Sequence, residues 1–143
     1  MAAGISLKLV IPSEVKLVDV VHSASEKMAE VAGFDEDEAL NIGLAVREAV
    51  INAMLHGNKQ DPSLDVEVTL SLLSDALEAT VRDRGGGFDP NQTPDPTQGN
   101  NLLRTSGRGL LLIRAFVDEV DFDLPADGGT RITMTKSYPS VGP

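Results

Sequence analysis

The chain has 143 residues and a mass of 15.1 kDa, the size of one independently folding domain. It contains no cysteine and two histidines, which excludes a disulfide scaffold, thiolate zinc and a cysteine nucleophile and argues against a dedicated transition-metal site. Twelve basic side chains against 22 acidic ones give a net charge of −10, a sign that repels phosphate backbones and disfavours nucleic acid as a partner.

Aromatic residues make up only 3% of the chain, so its core is expected to be aliphatic. No apolar run approaches the roughly 20 residues that span a bilayer. The first ten residues show neither the basic start nor the apolar stretch of a signal peptide, so a cytoplasmic protein is expected.

In chain order, Ile5, Leu7, Leu9 and Ile11 alternate as in a strand with one buried face, and Pro12 stops the run. Ser13 and Glu14 have the character of a helix start, after which Leu17, Val21, Ala24, Met28 and Val31 recur at helical spacing up to Gly33. A second helix is predicted from Asp35, whose acidic neighbours suit the positive end of the helix dipole, to about His56. There Gly57 and Asn58 are suited to a left-handed termination. Leu64 to Leu72 and Leu77 to Val81 alternate on either side of Ser74-Asp75 and predict a β-hairpin.

Residues 84–106 are rich in Gly, Pro, Asn and Thr and have no period. A loop of that length in a compact domain is either functional or disordered, and here it predicts a lid. Gly107 to Phe116 is an apolar helical run. Val120, Phe122 and Leu124 alternate, Asp127-Gly128-Gly129 turns, and Ile132 and Met134 alternate again. From Tyr138 onward the chain is expected to fray. The alternating strands call for a sheet with one buried face. The expected fold is therefore α+β, a single domain over 1–137 built as a two-layer sandwich. Its sheet is mixed but mostly antiparallel, with the helices on one face.

Three segments carry candidate chemistry. On the largely apolar second helix, Glu48, Asn52 and His56 are each four residues apart and share one side. Small Ala45 precedes them and is expected to leave room above the line. Polar groups on a buried helix need partners, because an unpaired one costs roughly 1–3 kcal/mol. The second segment is Asp83-Arg84-Gly85-Gly86-Gly87 at a strand end, where the glycines suit either a hinge or close approach of a ligand to the main chain. Asp83 can accept a hydrogen bond from an exocyclic amine or cap a turn. The third is Gly107-Arg108-Gly109-Leu110, where the free N–H groups of a helix start can receive an anion. It fits neither the dinucleotide fingerprint nor a Walker A sequence.

Together these segments resemble the ATP-binding fold shared by gyrase, Hsp90, histidine kinases and MutL, also called the Bergerat fold. Glu48-Ala49-x-x-Asn52-Ala53-x-x-His56-Gly57 matches its N box, Asp83-x-Gly85-x-Gly87 its first glycine box, and Gly107-x-Gly109-Leu110 its second. Gly128-Gly129-Thr130 stands where the closing Gly-Thr pair occurs. The resemblance implies ATP and Mg²⁺ as cofactors, with the Asn52 amide oxygen as a metal ligand. It implies that Asp83 binds the adenine amine with support from Thr130, and that Gly85 and Gly87 admit the nucleotide. Gly107 and Gly109 then hold phosphate, Leu110 belongs to the same ATP-binding box, and Glu48 is the general base. Arg104 and Arg108 either neutralise phosphate charge or face water.

Within that fold, a free-standing domain whose N box ends in His56-Gly57, followed by Gly109-Leu110-Leu111-Leu112-Ile113-Arg114, is similar to bacterial anti-sigma factor serine kinases. The resemblance implies phosphorylation of a serine on a small anti-anti-sigma protein of the STAS type, sequestration of a sigma factor, and a homodimer. Arg47 and Arg108 depart from the commonest residues of that family. His22 lacks the surroundings of a phospho-accepting histidine and is expected on a helix surface. Two other readings are a regulatory module of the same fold that activates a phosphatase or adaptor, and an interaction domain that has lost nucleotide.

Overall fold

The computed structural model describes residues 4–85 and 107–139. β1 (Ile5–Pro12) leads through a 3₁₀ turn (Val15–Leu17) into α1 (Val18–Val31), followed by α2 (Glu36–Asn52) and a π turn (Ala53–Gly57). The hairpin β2 (Asp65–Leu72) and β3 (Ala76–Arg82) comes next, then α3 (Gly107–Phe116), β4 (Glu119–Asp123) and β5 (Arg131–Ser137). The sheet order is β1-β2-β3-β5-β4, and every described pairing is antiparallel.

Strand alternation sets the layers. Val66, Val68, Leu70 and Leu72 of β2, Leu77, Ala79 and Val81 of β3, and Ile132 and Met134 of β5 all point into the core. There they meet Val18 and Val21 of α1, Val46, Ala49 and Val50 of α2, and Ile113 of α3. A second cluster at the far end packs Phe34, Ile42 and Ala39 on Leu72 and Leu77. Among the described residues, Phe34 is the one aromatic side chain in the fully buried core. The opposite face of the sheet is polar and carries Glu67, Arg82, Arg84, Asp127 and Lys8 in ion pairs.

α2 starts as its sequence predicts: Asp35 Oδ1 accepts the Glu38 N–H at 2.8 Å, and the first turn is acidic. Gly33 takes φ +100 and ends the run of α1.

Elsewhere the structure departs from the pattern. Ser13 is no helix cap. It is buried, and its hydroxyl donates to the Leu64 carbonyl at 2.7 Å, tying β1 to the segment before β2. α1 buries Val18, Val21, Ser25 and Ala29, and leaves Val31, predicted on its apolar face, 56% exposed. Only the second half of β1 meets the core: Leu9 and Ile11 pack against it, whereas Ile5 and Leu7 are exposed. His22 is wedged between helices instead of lying on a free surface. Its ring stands over Gly43 of α2, where a Cβ would overlap it, and Nε2 lies 3.6 Å from Glu26. Tyr138, expected to fray, is pinned: its hydroxyl donates to the Leu73 carbonyl, its N–H to Asp75, and its ring packs near Phe34.

Candidate functional site

One cavity opens between α2, α3 and the sheet. Its apolar walls come from Ala49 and Ala53 of α2 and the π turn, Val81 and Ile132 of the sheet, and Leu110 and Ile113 of α3. Its polar lining is Asn52, His56, Asp83 and Thr130, with Lys59 and Phe122 contributing further along.

The helix places the first of these. Asn52 is the last residue of α2, and its Oδ1 is buried with no hydrogen-bond partner among the described residues. A buried carbonyl oxygen without a donor costs roughly 1–3 kcal/mol, which a cation or donor entering the cavity would recover. One turn earlier, Glu48 is half-buried beside α3. A Cβ on Gly109 would overlap the Glu48 carboxylate, so any side chain there would displace that carboxylate. Ala45, at the head of the line, fills core volume instead of leaving room above it.

Beyond Asn52 the helix widens into a π turn, with the Asn58 N–H donating to the Ala53 carbonyl five residues back at 2.8 Å. π turns recur at functional sites because the extra residue redirects side chains. His56 sits in this turn and is exposed, although it still lines the cavity. The left-handed residues expected at Gly57 and Asn58 occur two residues later in each case, at Lys59 (φ 52) and Gln60 (φ 62). Gly57 serves a different need. A Cβ there would run into the Asp83 carboxylate, and one on Gly85 would run into the Gly57 carbonyl.

Asp83 is the electrostatic centre of the opposite wall. It is 5% exposed, and its Oδ1 accepts from the Gly85 N–H at 3.1 Å and the Thr130 N–H at 3.2 Å. Its own N–H donates to the Thr130 carbonyl at 3.0 Å. Burial pushes its pKa above the ordinary aspartate value, against the lowering effect of those two backbone donors. Gly128 and Gly129 both take positive φ in the turn before Thr130, and a Cβ on Gly129 would strike the Asp83 carbonyl.

Six of the sequence-predicted residues therefore surround one space or support its walls: Asn52, Asp83, Gly85, Gly109, Leu110 and Thr130. Glu48 sits behind it against Gly109. Gly107 begins α3 as expected. Gly87, Arg104, the remainder of the expected lid from residue 86 to 106, and the side chain of Arg108 lie outside the described residues. Sequence reasoning read Asn58 only as a helix terminator; its buried side chain, behind the cavity lining, bonds Ser13, Leu64, Asp65 and Arg84.

The two close approaches predict different costs. Gly85→Ala forces backbone against backbone and is expected to lose about 1–3 kcal/mol of stability, the usual range for overpacking. Gly109→Ala meets only the movable end of Glu48 and is expected to lose less than about 1 kcal/mol. Urea unfolding of both variants measures this, and the reverse order would contradict the contacts.

The family model for the histidine kinase-like ATPase domain matches residues 11–136. Among curated proteins, the chain is 28% identical over 136 residues to the serine-protein kinase RsbW of Bacillus subtilis, covering 91% of this chain and 84% of the relative. It is 29% identical over 131 residues to that of Bacillus licheniformis, covering 87% and 81%. To that of Staphylococcus aureus strain MW2 it is 27% identical over 137 residues, covering 91% and 85%. No described helix is long and apolar enough to cross a membrane.

Proposed function

We propose, from the premise that this chain belongs to the histidine kinase-like ATPase domain family, that it is an ATP-dependent protein serine kinase acting as a bacterial anti-sigma factor. The observation that carries the nucleotide reading is the pairing of two buried oxygen groups across one cavity: the unpartnered Asn52 Oδ1 and the Asp83 carboxylate. The serine kinase reading rests on the relatives of that name, which the chain matches over most of its length.

Each residue has a task under this reading. Asp83 accepts from the exocyclic amine of adenine, its Oδ1 already held by Gly85 and Thr130. The apolar walls take the base. Asn52 offers its amide oxygen to Mg²⁺, which when bound offsets charge on the phosphates. The N–H groups opening α3, at Gly107 and Gly109, are suited to phosphate by their position at a helix start. Glu48 takes the proton from the attacking serine hydroxyl as the new Oγ–P bond forms and the bond to the β-phosphate oxygen breaks, giving phosphoserine and ADP. The phosphorylated partner is a small anti-anti-sigma protein of the STAS type. The kinase, as a cytoplasmic homodimer, holds the sigma factor when that partner is phosphorylated.

Asp83 gives a prediction with opposite signs for binding and folding. Its raised pKa means that the folded chain binds a proton there more readily than the unfolded chain does. The ionised carboxylate therefore opposes folding at neutral pH, and this cost is relieved as pH falls through the raised pKa toward 3.8. Asp83→Asn is expected to leave the melting temperature at pH 7 unchanged or higher. ATP affinity is expected to fall about 10- to 100-fold, the worth of one hydrogen bond to a charged group. A variant that loses stability and keeps its ATP affinity would contradict both parts.

The test of the reaction is incubation with γ-labelled ATP and purified anti-anti-sigma proteins from the same cell. Labelled phosphoserine on one of them is expected. ATP binding without any labelling would leave a nucleotide-binding regulatory module in place of a kinase.

A further inference from the structure

Asn58 is 1% exposed, and its side-chain amide is fully engaged. Nδ2 donates to the Ser13 hydroxyl at 2.9 Å, the Asp65 carbonyl at 3.0 Å and the Leu64 carbonyl at 3.3 Å. Oδ1 accepts the Arg84 N–H at 2.7 Å. The orientation of the amide is forced, because main-chain carbonyls need the nitrogen and a main-chain N–H needs the oxygen. Asn58 thus stands directly behind the π turn, anchored to β1 and to the start of β2, and grips the chain one residue past Asp83.

That grip bears on the cavity. Arg84 lies beyond the end of β3, so no ladder holds its N–H. On the outer face of the sheet its guanidinium pairs with Glu67 at 2.7 Å and Asp127 at 3.3 Å. With both ends of Arg84 fixed, the next N–H, that of Gly85, points at Asp83 Oδ1. We propose that Asn58 is a positioning residue for base recognition: through the Arg84 N–H it fixes the Asp83-Arg84-Gly85 turn so that Asp83 presents its carboxylate to an exocyclic amine. This inference rests on the nucleotide reading of the cavity.

ATP and inosine triphosphate separate positioning from general support, because inosine carries an oxo group in place of the adenine amine. In the unsubstituted protein ATP is expected to bind more tightly than inosine triphosphate. In Asn58→Ala the ratio of the two dissociation constants is expected to shrink at least threefold, with ATP losing more than inosine triphosphate. A purely structural role would lower the melting temperature and leave the ratio in the folded fraction unchanged, and that result would overturn the proposal. An unsubstituted protein that binds neither nucleotide would overturn the nucleotide reading and this inference with it. A second measurement needs no variant. Amide hydrogen exchange without nucleotide is expected to show Arg84 protected, although it lies outside the strand, and free exchange at Arg84 would overturn the proposal even if Asn58→Ala does not fold.

Discussion

Asn52→Ala is expected to weaken Mg²⁺-ATP binding by at least about 100-fold, or about 2.8 kcal/mol at 1.4 kcal/mol per tenfold. The substitution removes an oxygen that is buried at the end of α2 without a donor among the described residues. In the ligand-free protein that oxygen is a cost of roughly 1–3 kcal/mol. The variant should therefore be as stable as the parent or more so while losing its ligand. Stability held back at a binding site is a common trade in functional pockets. Thermal melting and calorimetric titration of the same preparation check the two halves. Tight Mg²⁺-ATP binding by Asn52→Ala would reject the metal role, and a large drop in melting temperature would mean that the amide is paired within the fold.

Glu48→Ala is expected to do the opposite to binding and to chemistry. Glu48 stands one helical turn before Asn52 and touches α3 at Gly109, outside the residues that line the cavity. Loss of its carboxylate should leave ATP affinity within about threefold of the parent. Transfer to serine should fall about 10²- to 10⁴-fold, the usual worth of a general base. Single-turnover transfer with saturating ATP reads the chemical step, and nucleotide titration reads binding. An unchanged transfer rate would reject the base assignment. The contact with Gly109 adds a control: Gly109→Ala displaces the same carboxylate and should depress transfer with little loss of stability.

Much of this architecture was legible in the residue pattern because it is encoded locally. Period-two alternation marked the hairpin and gave the sheet its single buried face, with Val66 to Leu72 and Leu77 to Val81 meeting in the register expected for a short turn. Asp35 announced the start of α2 through a cap that acts within three residues. The spacing of Glu48 and Asn52 holds because both lie within regular helix.

What escaped the sequence is non-local or depends on helix geometry. The π turn at 53–57 inserts one residue into the helical count, and nothing in Ala-Met-Leu-His-Gly marks that insertion, so His56 ends more exposed than a four-residue step implies. Gly57 looked like a left-handed terminator, yet its missing side chain makes room for Asp83, 26 residues on. Asn58 and Ser13 read as local stop and start signals, but their polar groups face each other across the fold. The bare half of β1 was equally hidden, because alternation tells which residues share a face and not whether a helix layer covers it.

Isothermal titration of the folded chain with ATP in the presence of Mg²⁺ tests the central claim most directly. One saturable site per chain is the predicted result, suppressed by Asn52→Ala and by Asp83→Asn. A flat titration with protein that melts cooperatively would contradict the assignment of this cavity to a nucleotide.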